Sequence, residues 1–469
     1  MASTTYDVRI YKTEIRKNAA GKITSYRVRW TTAGKPWKKS FQKSAQADTY
    51  RSNLVTAARD GEAFSLLTGE PVRWGRTAQP EMSWYEFACR FADLKWKSAS
   101  AKYRQDIARA LTAATPALLN SDKRKPDDLV LRTAMRRWAF NTKQRDHAVG
   151  DIADALAWLA NNTAPVSALA EAATVRTMLD TAGTRLDGKQ AATSTIRRNK
   201  TILQNALDYA VELQLLTANP MKSLKWKPPQ VTYEVDRRSV VNHSQARRLL
   251  AAVADQKPSG KRLVAFFAIM YYAALRPEEV VNLREDNVML PDLVWNPETE
   301  QMEESADAWG ELHFASAAPF AGREWTDDGS LREERPLKHR ANGHARTVPC
   351  PPELTTILRA HLAEFGDGRG GRLFTGVHGG ELPGITYRRV WSKARENALS
   401  ATEARSPLAK RVYDLRHACV STWLNAGVPA TQVAEWAGHS VEVLLRIYAK
   451  CIVGQDELAR RRISAALRD

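Results

Sequence analysis

The chain has 469 residues and carries 70 Lys and Arg against 52 Asp and Glu, a formal net charge of +18, so about three domains and a polyanionic partner are expected. With 43% hydrophobic and 26% charged residues it falls outside the disordered class, and its four cysteines (Cys89, Cys350, Cys419, Cys451) lie too far apart for a disulfide framework or a zinc knuckle, which predicts a reducing, cytoplasmic setting. The first thirty residues hold no apolar core of signal-peptide type, and the longest strongly apolar run, Leu263–Leu275, is short of the roughly 20 residues of a bilayer span, so no membrane partner is expected.

Residues 1–75 open with three alternating runs, 6–11, 25–30 and 36–41, punctuated by Gly21 and Gly34. Period-two alternation with aromatic and β-branched residues predicts a three-stranded antiparallel sheet, and the helical spacing of 45–60 predicts a helix closing one face. Residues 1–45 hold eleven Lys and Arg against Asp7 and Glu14. Arg27, Arg29, Lys38 and Lys39 are expected along the other face, where a strand ribbon can enter a DNA groove.

Residues 80–225 read as all-helical. Trp84, Phe87, Phe91 and Leu94 fall on one stripe, and Ile196, Leu203, Leu207, Ala210 and Val211 repeat at three- and four-residue intervals. Lys97, Lys102, Arg104, Arg197, Arg198 and Lys200 supply candidate DNA-facing cations. Asn219-Pro220 is expected to end the last helix, and 226–236, with Pro228-Pro229, reads as a linker.

Residues 237–469 mix periods. Ser244 precedes a helix over 246–254, Leu263–Leu275 reads as a buried helix, and the alternating runs 309–314 and 345–349 predict a small sheet before helices return. The stretch 291–337 holds twelve acids against Arg323, Arg332 and Arg335. This acidic insertion is expected to face away from the polyanion, and the rest of the chain carries a surplus of 27 positive charges. Charge alone leaves DNA, RNA and membrane surfaces open.

The most specific signal is an ordered set: Ala274-Leu-Arg-Pro-Glu-Glu279, Pro336-Leu-Lys338, Tyr413-Asp-Leu-Arg-His417, Ala437-Gly-His-Ser440 and Arg446-Ile-Tyr448. Together these resemble the tyrosine recombinases, the phage-type integrase family. Arg276 matches the first arginine of that signature, Glu279 the acid that braces it, Arg416 the second arginine, His439 the G-H histidine, and Tyr448, nine residues on, the nucleophile. Lys338 resembles the hairpin lysine, with Arg340 a competitor for that place. Tyr413 stands where the family's H-x-x-R box has histidine, and a phenol of pKa near 10 is a poor general base at neutral pH. His417 reads as structural.

The chemistry of phosphodiester cleavage fits these residue types. Two arginines are permanently charged, multi-donor clamps for a transition state with added negative charge. Cations beside Tyr448 favour its phenolate, Lys338 is the candidate acid toward the leaving 5′-oxygen, and a covalent phosphotyrosine conserves the bond without metal or other cofactor.

The resemblance implies a multidomain, mainly α protein with small β-sheets. Its parts are a three-stranded sheet plus helix (1–75) for arm-type DNA, a helical SAM-like core-binding domain (80–225), and a mixed α+β catalytic domain (237–469). It further implies double-stranded DNA attachment sites as partners, a homotetramer on two duplexes with the tail 455–467 packing on a neighbour, and accessory directionality or DNA-bending factors. A type IB topoisomerase and a DNA-binding regulator on a dead recombinase fold are the alternatives.

Overall fold

The computed structural model describes residues 4–19, 21–77, 81–227, 229, 234–338, 343–451 and, beyond these, 460, 461, 463, 464 and 467. About half of the chain is helical, with several small sheets. Arg340 and most of the 455–467 tail lie outside the described residues.

The N-terminal sheet is built on the long strand Ile23–Thr32, with Lys35–Phe41 on one side. The other side holds two short strands, Val8–Ile10 and Glu14–Lys17, where one strand was expected. The pairing lapses at Tyr11–Thr13, although the Tyr11 amide still donates to the Arg29 carbonyl at 3.0 Å. Val28 and Trp30 point inward onto Ala47 and Leu54 of the helix Ser44–Arg59. Because side chains alternate along a strand, Arg27 and Arg29 point outward, and Lys38 opposite Arg29 joins them. Lys39 pairs with Val28 instead, on the helix side, where it binds Glu70 at 3.2 Å and sits over the Tyr50 ring. Its expected place on the outer face is therefore corrected by strand parity.

The helical region opens with Trp84–Trp96, capped by the Ser83 hydroxyl, which accepts from the Glu86 amide. Trp84, Phe87 and Phe91 are buried as their spacing predicts, whereas Leu94 is exposed. The helix Thr193–Glu212 buries Ile196, Leu203, Leu207 and Ala210, with Val211 packed at the edge. It ends before Asn219-Pro220, which begins a new turn rather than closing the old one. Asn219 accepts from the Met221 amide, and Pro220 takes the first helical position, where its missing N–H costs nothing.

In the C-terminal region Asn242, not Ser244, caps the helix His243–Ala254 through a reciprocal bond with Gln245. The apolar helix Gly260–Tyr272 is buried almost all round and forms the centre of the largest core. Strands Gly310–Phe314 and Arg346–Cys350 pair antiparallel, with Val288–Met289 on the free side of the first. The four cysteines are free and buried. Among the described residues no helix is long and apolar enough to cross a membrane.

Part of the acidic insertion turns back onto the helical domain. The insertion divides into a hairpin, Leu293–Asn296 with Gln301–Glu304, and a second excursion that reaches the helical domain. Ala321 and Trp325 are buried in that domain's own core, Trp325 against Trp96 with ring centroids 5.9 Å apart. Asp327 accepts from both Arg104 Nη atoms at 2.7 and 3.1 Å. The reason is apolar as much as electrostatic: burying a tryptophan outweighs the preference of nearby acids for solvent.

Candidate active site

Arg276 sits just past the buried helix, at the start of the short helix Pro277–Val280. Its backbone amide and Nη1 donate to the two carboxylate oxygens of Glu279 at 2.8 and 2.7 Å, and Nη2 donates to the Gly438 carbonyl at 3.0 Å. Arg416 is fully buried in the helix Asp414–Asn425. Its guanidinium donates to the carbonyls of Ala274 and Ala437 and, at 2.9 Å, to His439 Nε2. Two arginines from distant parts of the chain thus converge on consecutive carbonyls, Ala437 and Gly438, in the turn before His439. Ala274 presents its carbonyl with φ 54, a left-handed conformation that costs a non-glycine residue about 1 kcal/mol.

Arg346 completes this cluster. Nη1 and Nη2 donate to Glu279 at 3.1 and 2.6 Å, so one carboxylate bridges two guanidiniums. Burial by itself would raise the Glu279 carboxyl, but Arg346, Arg276 and Arg416 outweigh it and hold it at about 2. Burial pushes Arg346 down to about 10 against the pull of Glu279. Gly438 has φ +62, and a Cβ there would lie 2.3 Å from Arg346 Nη1, so only glycine fits the turn. Arg346 was absent from the expected site. Its signal was strand parity: in Arg346–Cys350 it shares the inward face with Val348, and an inward arginine requires a buried acid.

His439 is pushed down to about 3 by burial and then by Arg416, Arg276, Arg346 and His417. It is therefore neutral near pH 7. Since a guanidinium only donates, Nε2 accepts, and the remaining proton sits on Nδ1, which is buried with no partner among the described groups.

Tyr448 ends the helix Val441–Tyr448 and is fully buried, packed with Leu444, Val433 and Val235. Its hydroxyl lies 2.8 Å from Nδ1 of His417. Burial raises the phenol's pKa and outweighs the lowering effect of Arg416. Burial thus outweighs the expected activation by neighbouring cations, and the neutral phenol is the stable form. His417, read from sequence as structural, is its direct partner and is itself pushed to about 3 by burial, Arg411 and Arg416. Tyr413, in the place of the box histidine, lies beside His417 and under the Arg416 guanidinium at 5.9 Å.

Lys338 is exposed on the rim of a cleft of about 790 Å³ that also takes in Arg276, Glu279, Lys102 and Arg198. The other expected DNA contacts divide by environment. Lys97 is exposed at a helix end. Arg198 pairs with Asp106. Arg197 and Lys200 donate to the linker carbonyls of Pro229 and Trp226. Arg104 is buried against Trp325 and Asp327 and is removed from any DNA-facing set. On the N-terminal sheet Arg29 pairs with Glu14 at 2.9 Å.

Residues 239–452 match the family model described as the phage integrase family. A curated protein of Sinorhizobium fredii, provisionally named integrase/recombinase y4rC, is 24% identical over 219 residues, 46% of this chain and 53% of its own length. The chain therefore spans about half the length of the curated relative it matches. Among solved structures, the Tn1549 transposon integrase in complex with transposon right end DNA is similar at 14% identity, covering 72% of this chain and 98% of that one, with a TM-score of 0.43. XerH site-specific recombinase bound to palindromic difH substrate gives 12% identity, 82% and 96% coverage and a TM-score of 0.47. A lambda integrase tetramer bound to a Holliday junction gives 12%, 91% and 95%, with a TM-score of 0.42. The matched stretch, 239–452, takes in Arg276, Arg346, Arg416, His439 and Tyr448, so the similarity to the phage integrase family falls on the side chains of this cluster.

Proposed function

We propose that the protein is a site-specific DNA recombinase of integrase type, which breaks and rejoins strands through a 3′-phosphotyrosyl intermediate at Tyr448 and so integrates or excises a mobile element such as a prophage. The observation that carries this reading is the convergence of Arg276 and Arg416 on the Ala437 and Gly438 carbonyls, beside His439.

Those contacts fix each guanidinium plane and leave N–H groups to hold the non-bridging oxygens of a scissile phosphate. His439, neutral with its proton on Nδ1, adds one more donor. Tyr448 attacks phosphorus as the P–O5′ bond breaks, and Lys338 gives the leaving oxygen its proton. Once core-site binding opens the apolar pocket that suppresses its basicity, His417 takes the phenol proton, and Tyr413 supports Arg416 from below without acting as a base. Rejoining reverses the steps with a 5′-hydroxyl from the other duplex, so no bond energy is lost and no cofactor is consumed. Exchange of both strands in two duplexes needs four cuts and hence four tyrosines, which calls for a homotetramer.

The outer face of the N-terminal sheet, with Arg27, Arg29 and Lys38, takes arm-type DNA in this reading. Lys97, Lys102, Arg197, Arg198 and Lys200 face the core site, with an accessory bending or directionality factor setting the outcome. Core-site binding must also draw Tyr448 out of its apolar cluster.

The test is covalent capture. The full chain is incubated with duplex fragments flanking its own coding sequence, and DNA that stays attached through detergent is recovered. The wild-type chain should form an adduct that Tyr448→Phe abolishes while DNA binding is kept. An adduct that survives in Tyr448→Phe overturns the nucleophile. Relaxation of a supercoiled plasmid without two-site exchange favours a topoisomerase instead.

A further inference from the structure

The strands Gly310–Phe314 and Arg346–Cys350 are joined by residues 315–345, a connection far longer than the usual few residues of a hairpin. Most of that length is one excursion. Its base is closed by the pairing of Ser316 with Pro336 and Ala317 with Arg335, and by Arg332, whose Nη atoms donate to the Ala318 and Leu382 carbonyls at 3.0 and 3.1 Å. Its far end is bound to the helical domain, through buried Trp325 and through Asp327 on Arg104. Lys143 Nζ donates to the carbonyls of Thr326 and Asp327 at 2.8 Å each, and Asn141 to that of Glu324 at 2.9 Å.

The returning strand carries this anchorage straight to the cleft. Glu333 accepts from the Ala101 amide of the helical domain at 3.0 Å, and Glu334 accepts from Ser316 at 2.7 Å and Asn282 at 3.2 Å in the catalytic domain. Arg335 and Pro336 follow, then buried Leu337, whose amide donates to the Ala315 carbonyl. Lys338 comes next. Three residues separate Glu334 from Lys338, four steps and at most about 14 Å of extended chain, so the lysine cannot wander far from an anchor shared by both domains.

We propose that this strap is a positioning device: its docking on the helical domain sets Lys338 over the leaving oxygen, so that delivery of the proton depends on the two domains being correctly joined. The inference rests on the reading of Lys338 as general acid. Trp325, Asp327 and Glu333 are positioning residues that act through Lys338. The tyrosine O–P bond forms as the P–O5′ bond breaks: with the strap docked, Lys338 supplies the proton to O5′ as it leaves, and with the strap undocked the same displacement must expel an unprotonated alkoxide and is slow.

The experiment uses the duplex recovered by covalent capture, in its normal form and with sulfur replacing the bridging 5′-oxygen. A thiolate leaves without needing a proton, its conjugate acid having a pKa near 8.5 against about 16 for an alcohol-like oxygen. Cleavage is followed in single turnover at saturating protein, which removes differences in DNA affinity. The variants are Lys338→Ala, Trp325→Ala and the combined Asp327→Ala, Glu333→Ala, whose more accessible positions guard against loss of folding, checked by thermal melting. The strap variants should cleave normal DNA at least tenfold more slowly and the sulfur substrate at close to the wild-type rate, like Lys338→Ala. If Lys338→Ala is rescued by sulfur and the strap variants are equally slow on both substrates, or slow on neither, the strap has no part in placing the acid. If sulfur fails to rescue Lys338→Ala, the assignment of the acid itself is wrong.

Discussion

His417 Nδ1 and the Tyr448 hydroxyl are 2.8 Å apart, in a pocket where burial keeps both groups neutral. The pair joins the helix Asp414–Asn425, which carries Arg416, to the helix that ends in Tyr448. His417→Phe removes the phenol's partner while keeping the bulk. Adduct formation should fall at least tenfold with DNA affinity unchanged, as read by single-turnover cleavage beside a binding isotherm.

His417 and His439 both titrate near 3 in the folded chain, against about 6.5 when unfolded. Between these values the unfolded state binds more protons, so stability is complete above about pH 6.5 and is lost as pH falls through that window. Each histidine should contribute about 1–2 kcal/mol of this loss by pH 5. Denaturant titrations at pH 7 and pH 5 should therefore diverge for wild type and nearly coincide for the His417→Gln, His439→Gln double variant.

Glu279 serves two buried arginines, and its loss leaves both uncompensated. Glu279→Gln should destabilise the chain by about 3 kcal/mol or more, whereas Arg346→Met, which leaves Glu279 paired with Arg276, should cost clearly less. Equal midpoints for the two variants in urea would contradict the bridging role.

At Gly438 a methyl group meets both a left-handed backbone and the Arg346 guanidinium. Gly438→Ala should lower stability by more than the roughly 1 kcal/mol of backbone strain alone and should suppress cleavage, since the same turn orients Arg276 and Arg416. Thermal melts with covalent capture would show a variant that is folded below its melting point yet inactive.

On DNA, Arg27→Ala and Lys38→Ala should each reduce the magnitude of the slope of log affinity against log salt by about 1, the signature of a lost phosphate contact. Arg104→Ala should leave the slope alone and lower the melting temperature, because that arginine is used inside the protein. A slope unchanged in the sheet variants would remove the outer face from the DNA interface.

The expected site positions were legible because their spacing in sequence is tied to specific turns: the arginine that follows a buried helix, and the nine residues from His439 to Tyr448. What escaped was set by packing between distant segments. Strand parity could have placed Lys39 inward and Arg346 beside an acid, since both follow from a period of two. Nothing local marks His417 as the partner of Tyr448, because that contact depends on how two helices meet. Net charge gave no hint that the insertion docks on the helical domain, because Trp325 makes that contact and the acids around it conceal the fact. The helix boundary at Glu212 was missed because Asn-Pro reads equally as a stop and as a start.

The strap also bears on how such proteins are recombined as parts. The helical domain's core is completed by Ala321 and Trp325, which arrive from the other side of the linker. A chimera joined only near residue 230 would leave a hole in the imported module and an orphaned tryptophan on the retained one. The unit of exchange is therefore discontinuous: a chimera should receive a foreign helical domain together with the 318–334 excursion that fits it.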